Sequence, residues 1–163
     1  MADQVDRILE QWHAEKPELD VSPMAVIGRL SRTALAIDLR LAETFARHGL
    51  DSGSFDVLAT LLRSGAPHRI APAVLARDAM ITSSAVAQRL NKLEARGLIA
   101  REANPDDGRG TLVALTEAGK TLVEQALPDH VEAERAMTDA LSGEEQVLLA
   151  GFLQRLDEAA RSR

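Results

Sequence analysis

The chain has 163 residues, no cysteine, 2% aromatic residues and a formal net charge of −6 at pH 7. The lack of cysteine excludes disulfide bonds, thiolate metal sites and cysteine redox switches, and the scarcity of aromatic residues favours packed helices with an aliphatic core. No apolar run approaches the roughly 20 residues of a membrane-spanning helix. We therefore expect a soluble, cytoplasmic protein without a membrane partner.

The N-terminal segment predicts a short amphipathic helix. Four apolar side chains recur at i, i+3, i+4 and i+7: Val5, Ile8, Leu9 and Trp12. Lys16-Pro17 ends the pattern. An isolated helix of this length is marginal in water and must dock on another element. Trp12, the only tryptophan, is a candidate anchor for that docking.

The longest predicted helix runs from Ser22 to about Arg47 and ends at His48-Gly49. Apolar side chains follow one another along it at steps of three and four: Ile27, Leu30, Ala34, Ile37, Leu41 and Phe45. Such a helix is about 37 Å long at 1.5 Å per residue, which is more than one small core needs. Part of it should therefore contact a second subunit.

A shorter helix is predicted from about Ser52 to Arg63. Its apolar side chains are Phe55, Leu58, Ala59 and Leu62. Asp56 lies at the border of this apolar stripe, where a carboxylate is costly to desolvate unless a partner compensates. Arg89 is the partner that we expect, because it lies at the edge of the inner face of a later helix. A structural salt bridge is one interpretation of the pair.

Two further helices predict a helix-turn-helix. The first, from Ala71 to Arg77, has Pro72 near its first position, and residues 78–81 connect it to the second. The second begins at Thr82, a candidate N-cap, and ends at Arg96-Gly97.

The second of these helices has two different faces. Val86, Leu90 and Leu93 fall on one inner stripe, whereas short polar side chains occupy the opposite face. Such polar side chains can read the edges of bases in a DNA major groove. The candidate DNA-binding residues of this helix are Thr82, Ser83, Ser84, Gln88, Asn91 and Lys92.

Two short strands follow, from Leu98 to Ala103 and from Thr111 to Leu115. A hairpin placed directly after a helix-turn-helix is a wing. Arg109, which lies between two glycines at the predicted tip, is a candidate minor-groove contact. The alternative interpretation is a packing unit of helices and hairpin without a ligand.

The negative charge is unevenly distributed along the chain. Residues 69–111 hold seven basic and five acidic side chains, a balance of +2, whereas residues 1–28 and 112–163 have balances of −4 and −5. The only clearly positive segment therefore contains the predicted helix-turn-helix and wing. Acidic flanks would keep phosphates away from the other faces.

Two apolar helices close the chain. Thr116 is a candidate cap for a helix that continues to about Asp139, and Pro128 should bend it. Ser142 and Glu145 form a capping box before the last helix. The apolar side chains of that helix are Leu148, Leu149, Phe152, Leu153 and Leu156. Because no local core remains for them to fill, we expect a dimer interface shared with the N-terminal helices.

Catalytic motifs are not found in the sequence. The four histidines are scattered, without a second ligand at metal-binding spacing: His13, His48, His68 and His130. The sequence also has no glycine-rich phosphate loop and no serine elbow. We therefore expect no enzyme, no metal site and no cofactor.

The motifs LEARGLI, NPDDGRG and LVALTEAG, in the stretch that begins at Ser83, resemble the MarR family of winged-helix transcription regulators. The chain is also similar to that family in length and element order. Within the family, PMAVIGRLSR from Pro23, GLDSGSFDVLATLLRSG from Gly49 and Trp12 in an added N-terminal helix resemble the urate-responsive subgroup.

The resemblance implies a mainly α fold with a small β wing. It places N-terminal and dimerisation helices at residues 1–48, a winged helix-turn-helix at 50–115 and C-terminal dimerisation helices at 116–163. The implied function is that of a ligand-responsive regulator, a repressor that binds a pseudo-palindromic operator in double-stranded DNA as a homodimer. A small anionic or aromatic effector would release it. The alternative is a dimeric winged-helix interaction module that reads no specific DNA.

The resemblance also implies a ligand site. Trp12, Asp56 and Arg89 fall where the urate-responsive subgroup places its ligand-responsive residues, and Arg101 looks like a further arginine of that signature. Ala87 departs from the pattern, because the subgroup usually has Ser or Asn two residues before the arginine. The effector implied is therefore urate-like or another small anion.

Overall fold

A computed structural model describes residues 2–80, 82–105 and 110–162, without the side chain of Ser83. The described part is mainly helical with a small antiparallel sheet, which confirms the predicted fold class. None of its helices is long and apolar enough to cross a membrane. The elements in chain order are α1 (Gln4–Glu15), α2 (Ser22–Arg47), α3 (Ser52–Arg63), β1 (Arg69–Ile70), α4 (Pro72–Asp78), α5 (Ser83–Ala95), β2 (Ile99–Ala103), β3 (Thr111–Leu115), α6 (Glu117–Thr138) and α7 (Gly143–Arg161).

The chain divides into two compact units, residues 1–40 and 41–163. In the first unit, Asp3 and Asp6 form a capping box at the start of α1. Arg29 of α2 contacts both carboxylates, with Nε 2.8 Å from Asp3 Oδ2 and Nη2 2.6 Å from Asp6 Oδ1. This cluster of charges joins the start of α1 to α2, as the short length of α1 requires.

The buried anchor of α1 is Val5. Val5 is 3% exposed and packs against Gly28 of α2, where an added Cβ would lie 3.3 Å from Val5 Cγ1. A small β-branched side chain fits closely against this glycine. Trp12 is 40% exposed, and its part in docking stays a prediction.

The core of the second unit surrounds α3, which packs against α4, α5, α6 and β3. Val57, Leu58 and Leu61 of α3 are completely buried. The predicted inner stripe is thus correct for Phe55 and Leu58 but omits Val57 and Leu61. The other two predicted residues, Ala59 and Leu62, are only partly buried. The difference arises because neighbours cover α3 on several sides, which widens the buried face beyond one stripe.

The sheet has the strand order β1-β3-β2 and is antiparallel throughout. The predicted wing strands are present, with Ile99 opposite Leu115 and Ala103 opposite Thr111. The sequence did not predict β1, which pairs Arg69 with Ala114. Two residues are too few to show the alternation of a β-strand in the sequence. This strand is recognised only by its hydrogen-bonded pairing with β3.

The start of α6 contacts the base of the wing directly. The Thr116 hydroxyl donates to the Gly97 carbonyl at 2.8 Å, and the Thr116 amide donates to the Leu98 carbonyl at 3.2 Å. Gly119 also lies directly against Leu98, the residue before β2, because an added Cβ would overlap the Leu98 carbonyl oxygen. Any side chain at position 119 would therefore separate α6 from the wing.

Candidate DNA-binding interface

The predicted second helix of the helix-turn-helix is α5. The Thr82 hydroxyl caps it by accepting from the Ala85 amide at 3.3 Å, and Gly97 follows its end with φ +69°. Val86, Leu90 and Leu93 are 2%, 4% and 0% exposed, as their spacing predicted. Burial of these three side chains anchors α5 on the core, and the opposite face of the helix is exposed.

The outward side of α5 carries Ser84 and Gln88, both exposed. The Ser84 and Thr82 hydroxyls lie 3.2 Å apart and share a hydrogen bond. Ser83 belongs to the helix, but its side chain is outside the described part. The exposed surface therefore offers hydroxyl and amide groups, which can both donate and accept hydrogen bonds.

Asp51 holds one flank of α5. Its carboxylate lies 2.6 Å from Lys92 Nζ and 2.9 Å from Arg89 Nε. The Arg89 contact has the distance of an ion pair without the alignment of a hydrogen bond. Asp51 is also the N-cap of α3, accepting from the Ser54 amide at 2.9 Å. One carboxylate thus joins the start of α3 to the middle of α5.

Burial by itself would raise the pKa of the Asp51 carboxyl. The hydrogen bonds from Lys92 and from the Ser54 amide and hydroxyl, together with the charge of Arg89, outweigh burial and lower this pKa from 3.8 to about 2. Asp51 is therefore ionised at neutral pH, and both cations of α5 have a fixed anionic partner.

Gly53 provides the space for Arg89. A Cβ at position 53 would lie 2.8 Å from Arg89 Nε and 3.5 Å from its Cγ. The side chain of Arg89 therefore lies along the first turn of α3, and only glycine at position 53 allows this close approach.

Arg101 of β2 holds the other flank of α5. Its Nη2 donates to Asn91 Oδ1 at 2.7 Å, and its Nη1 forms an ion pair with Glu94. Asn91 and Lys92, both predicted to contact DNA, are exposed but already bound to neighbours on opposite flanks. Gln88 lies between the flanks, on the side away from the core.

The wing consists of β2 and β3. Their pairing continues one step toward the tip, where the Asn104 amide donates to the Gly110 carbonyl at 2.9 Å. Arg109, predicted to reach the minor groove from the tip, lies outside the described residues.

The predicted salt bridge between Asp56 and Arg89 is wrong. Arg89 pairs with Asp51, the N-cap of α3. Asp56 Oδ2, five residues later, instead accepts a hydrogen bond from the Met80 amide at 2.7 Å. Burial raises the pKa of Asp56, and the Met80 hydrogen bond and the charge of Arg63 only partly oppose this. The angular position of Arg89 was inferred correctly, but the helix periodicity alone did not distinguish two aspartates on the same neighbouring helix.

The four predicted ligand residues occupy separate places in the described part. Asp56 binds the turn before α5, Arg89 lies on the Asp51 flank, and Arg101 lies on the opposite flank. Trp12 belongs to the first unit. Asp51 was not predicted as a site residue. An aspartate directly before a helix start is a preferred N-cap, and this is the sequence signal that could have found it.

A sequence model described as the MarR family matches residues 48–110. The HTH-type transcriptional regulator PecS of Dickeya dadantii is 39% identical over 155 residues, which cover 95% of this chain and 93% of PecS. The chain belongs to the MarR family. The predicted resemblance to this family is thereby confirmed.

Solved structures agree with this assignment. Sco3205, a MarR family regulator of Streptomyces coelicolor crystallised in complex with DNA, matches with a TM-score of 0.79 and 27% identity over 88% of this chain and 94% of Sco3205. BpsR of Bordetella bronchiseptica, whose DNA binding is regulated by 6-hydroxynicotinic acid, matches with a TM-score of 0.74 and 25% identity over 81% and 92%. This MarR-family chain is thus related to transcription regulators and not to enzymes, as predicted.

We predict that Asp51→Asn lowers the free energy of unfolding by about 0.5–1 kcal/mol at pH 7, because asparagine can still cap α3 but cannot pair with Arg89 and Lys92. The pKa of Asp51 is lower in the folded protein than in the unfolded chain. The wild-type advantage should therefore be complete above about pH 4 and disappear as the pH falls toward 2. Urea unfolding across this range measures it.

Asp157→Asn is the matched control, since Asp157 forms an exposed pair with Arg161 one turn later in α7. It should change stability by no more than about 0.5 kcal/mol. An Asp51→Asn deficit that stays constant from pH 7 to pH 2 would show that its charge is not the cause.

Proposed function

We propose that this MarR-family chain is a repressor that binds a pseudo-palindromic operator as a homodimer and is released by a small anionic or aromatic effector. The observation that carries the proposal is the outward side of α5: exposed polar groups lie on a helix whose rotation is set from both flanks by Asp51 and Arg101. A helix held in this way can present the same atoms to each binding site.

Base reading is assigned to the first half of α5. In helix-turn-helix proteins the N-terminal residues of the second helix contact base edges in the major groove. That part of the chain contains Thr82, Ser83, Ser84 and Gln88. Asn91 and Lys92 lie further along α5, where they can reach the DNA phosphate backbone. Arg109 would add a minor-groove contact from the wing. The positive balance of residues 69–111 supports this orientation.

We predict that Gln88→Ala reduces discrimination between the operator and a scrambled duplex by about 1–3 kcal/mol, the value of one lost base contact. Arg109→Ala should instead weaken binding to both duplexes and reduce the salt slope by about one unit. Fluorescence anisotropy at several salt concentrations measures both effects. The operator is the duplex that the wild-type protein enriches from a random-sequence library.

Equal affinity of the wild-type protein for the two duplexes would favour the alternative, an interaction module without specific DNA reading. Unchanged discrimination by Gln88→Ala would remove this residue from the reading surface while leaving the family function intact.

The homodimer is supported by the last helix. No described residue of α7 is buried, although one side of it is apolar. Five large apolar side chains on that side are exposed: Leu148, Leu149, Phe152, Leu153 and Leu156. A continuous apolar stripe of this kind on a soluble protein marks an interaction surface. A second copy would cover it and place two α5 helices about 34–36 Å apart, one turn of DNA.

We predict that Phe152→Glu converts the dimer to a monomer, because it places a charge in the centre of the apolar stripe. Val147→Glu is the matched control: Val147 is 74% exposed and lies on the opposite side of α7, so the same charge should leave the dimer intact. Sedimentation velocity measures the outcome. A Phe152→Glu dimer as stable as wild type would exclude this surface.

The effector is proposed to act on Arg89. A small anion that pairs with the Arg89 guanidinium would compete with Asp51 and so release one flank of α5. A ligand shifts a conformational equilibrium only by its differential affinity for the two states, and the Asp51 pair supplies such a difference. BpsR, which is regulated by 6-hydroxynicotinic acid, shows that a structural neighbour responds to a small aromatic acid.

Three further residues are proposed to contact the effector because they match the urate-responsive subgroup: Trp12, Asp56 and Arg101. Trp12 would contribute an aromatic ring, and Asp56 and Arg101 polar contacts. Ala87 lacks the hydroxyl or amide of that subgroup, which favours a small anion other than urate.

A thermal-shift screen of purines, phenolic acids and small carboxylates should identify compounds that stabilise the protein and release it from the operator. We predict that Arg89→Gln raises the releasing concentration by at least about tenfold, the equivalent of one charged contact. Arg96→Gln is the control, because Arg96 lies at the end of the same helix and binds the Gly49 carbonyl at 3.0 Å. Trp12→Ala should retain operator binding and lose the response. Arg96→Gln should be released at the wild-type concentration. Release of both Arg89→Gln and Trp12→Ala at that same concentration would contradict this site.

A further inference from the structure

Three polar side chains on one side of α3 are directed at the turn between α4 and α5. Asp56, Thr60 and Arg63 stand at i, i+4 and i+7, which places them above one another on the helix surface. The described part of the turn begins at Asp78, the last residue of α4, and continues through Ala79 and Met80. We call the three residues the turn clasp.

Each member of the turn clasp has a defined contact. Asp56 Oδ2 accepts from the Met80 amide at 2.7 Å, and Arg63 Nη2 donates to the Asp78 carbonyl and, at 3.0 Å, to the Thr60 hydroxyl. That hydroxyl donates in turn to the Asp56 carbonyl at 2.7 Å and is carried by a side chain only 2% exposed. The clasp therefore binds one acceptor and one donor of the turn backbone.

The turn is not held by packing of its own last side chain. Ala79 is extended, with φ −76° and ψ +151°, and its amide makes the final hydrogen bond of α4 to Leu75. Met80 is 88% exposed. Ala79 packs against the core of the second unit, and the contacts from α3 add directional hydrogen bonds to the backbone where the chain leaves α4.

The position of this turn matters because Thr82, the cap of α5, comes two residues after Met80. The Asp51 contacts hold α5 at Arg89 and Lys92, in its second half. The turn clasp acts on the turn that leads into α5, and both sets of contacts originate on α3 or its N-cap. The position of α5 relative to α3 is therefore constrained by contacts on the helix and by contacts on the turn before it.

We propose that Asp56 and Arg63 are specificity-determining positioning residues: by binding the Asp78 carbonyl and the Met80 amide they set the angle at which α5 enters the DNA groove. Neither side chain lies on the outward side of α5, so the effect passes through the turn and not through a contact with DNA. The inference rests on the proposed reading of DNA by α5.

Amide hydrogen exchange of Met80 tests the contact itself without DNA. The chain has four methionines, so ¹⁵N-methionine labelling gives a simple NMR spectrum. The Met80 amide should exchange slowly in the wild type and rapidly in Asp56→Ala, which has no acceptor. Exchange should stay slow in Asp56→Asn, because the asparagine side-chain carbonyl can still accept this hydrogen bond. The Met24 and Met137 amides, both in helices elsewhere, should be unaffected and also report whether the variants are folded.

Discrimination between the selected operator and a scrambled duplex tests the positioning role. Asp56→Ala should lose about tenfold or more of the discrimination, as for one lost base contact, while Asp56→Asn keeps the wild-type value. Arg63→Lys keeps the positive charge but loses the planar guanidinium that donates to both the Thr60 hydroxyl and the Asp78 carbonyl. This variant should therefore also lose discrimination, while its salt slope stays unchanged. Asp157→Ala controls for removal of a negative charge.

The outcomes separate the two hypotheses. Rapid Met80 exchange in Asp56→Ala with wild-type discrimination would overturn the positioning role and leave the proposed function standing. Wild-type discrimination by Arg63→Lys would show that Arg63 acts only as a charge and would overturn its part. A wild-type protein that binds both duplexes equally would overturn DNA reading itself, a failure that is seen before any variant is made.

Discussion

The rotation of α5 about its own axis is the constraint on which the DNA-binding surface depends. Successive residues of a helix are 100° apart around its axis, so Lys92, four residues after Gln88, is about 40° from it. A rotation of α5 by that angle would replace Gln88 by Lys92 on the outward side. Burial of Leu90 and Leu93 turns the apolar face of α5 inward, but apolar attraction is non-directional. The directional contacts come from Asp51 on one flank and Arg101 on the other, and these narrow the range of rotation that burial leaves.

The same contacts explain why a surface proposed to bind DNA contains so many carboxylates. Lys92, Arg89 and Arg101 are paired with acidic side chains, so fewer positive charges remain for phosphates than the sequence suggests. Phosphate contacts give affinity for any sequence, whereas base contacts discriminate. Pairing the cations of α5 therefore weakens non-specific binding more than specific binding, at the cost of total affinity.

Local patterns predicted the elements well and their contacts poorly. The inner stripe of α5, the cap at Thr82 and the capping box at Ser142 depend on residues a few positions apart, and the structure has all three. In contrast, β1 and the partner of Arg89 depend on residues far apart in the chain. Periodicity shows which way a side chain points but not which element lies there, and so Asp56 was chosen where Asp51 is the partner. Arg109 and the side chain of Ser83 lie outside the described residues.

The junction between α6 and the wing has a mechanical consequence. Thr116 binds the backbone at Gly97 and Leu98, and Gly119 lets α6 rest directly on that strand. Since the two parts meet through backbone atoms and the short Thr116 side chain, a tilt of α6 moves the base of the hairpin with it. The helix continues for 22 residues to Thr138, past Pro128, so a small tilt at this junction corresponds to a larger displacement at the far end of α6.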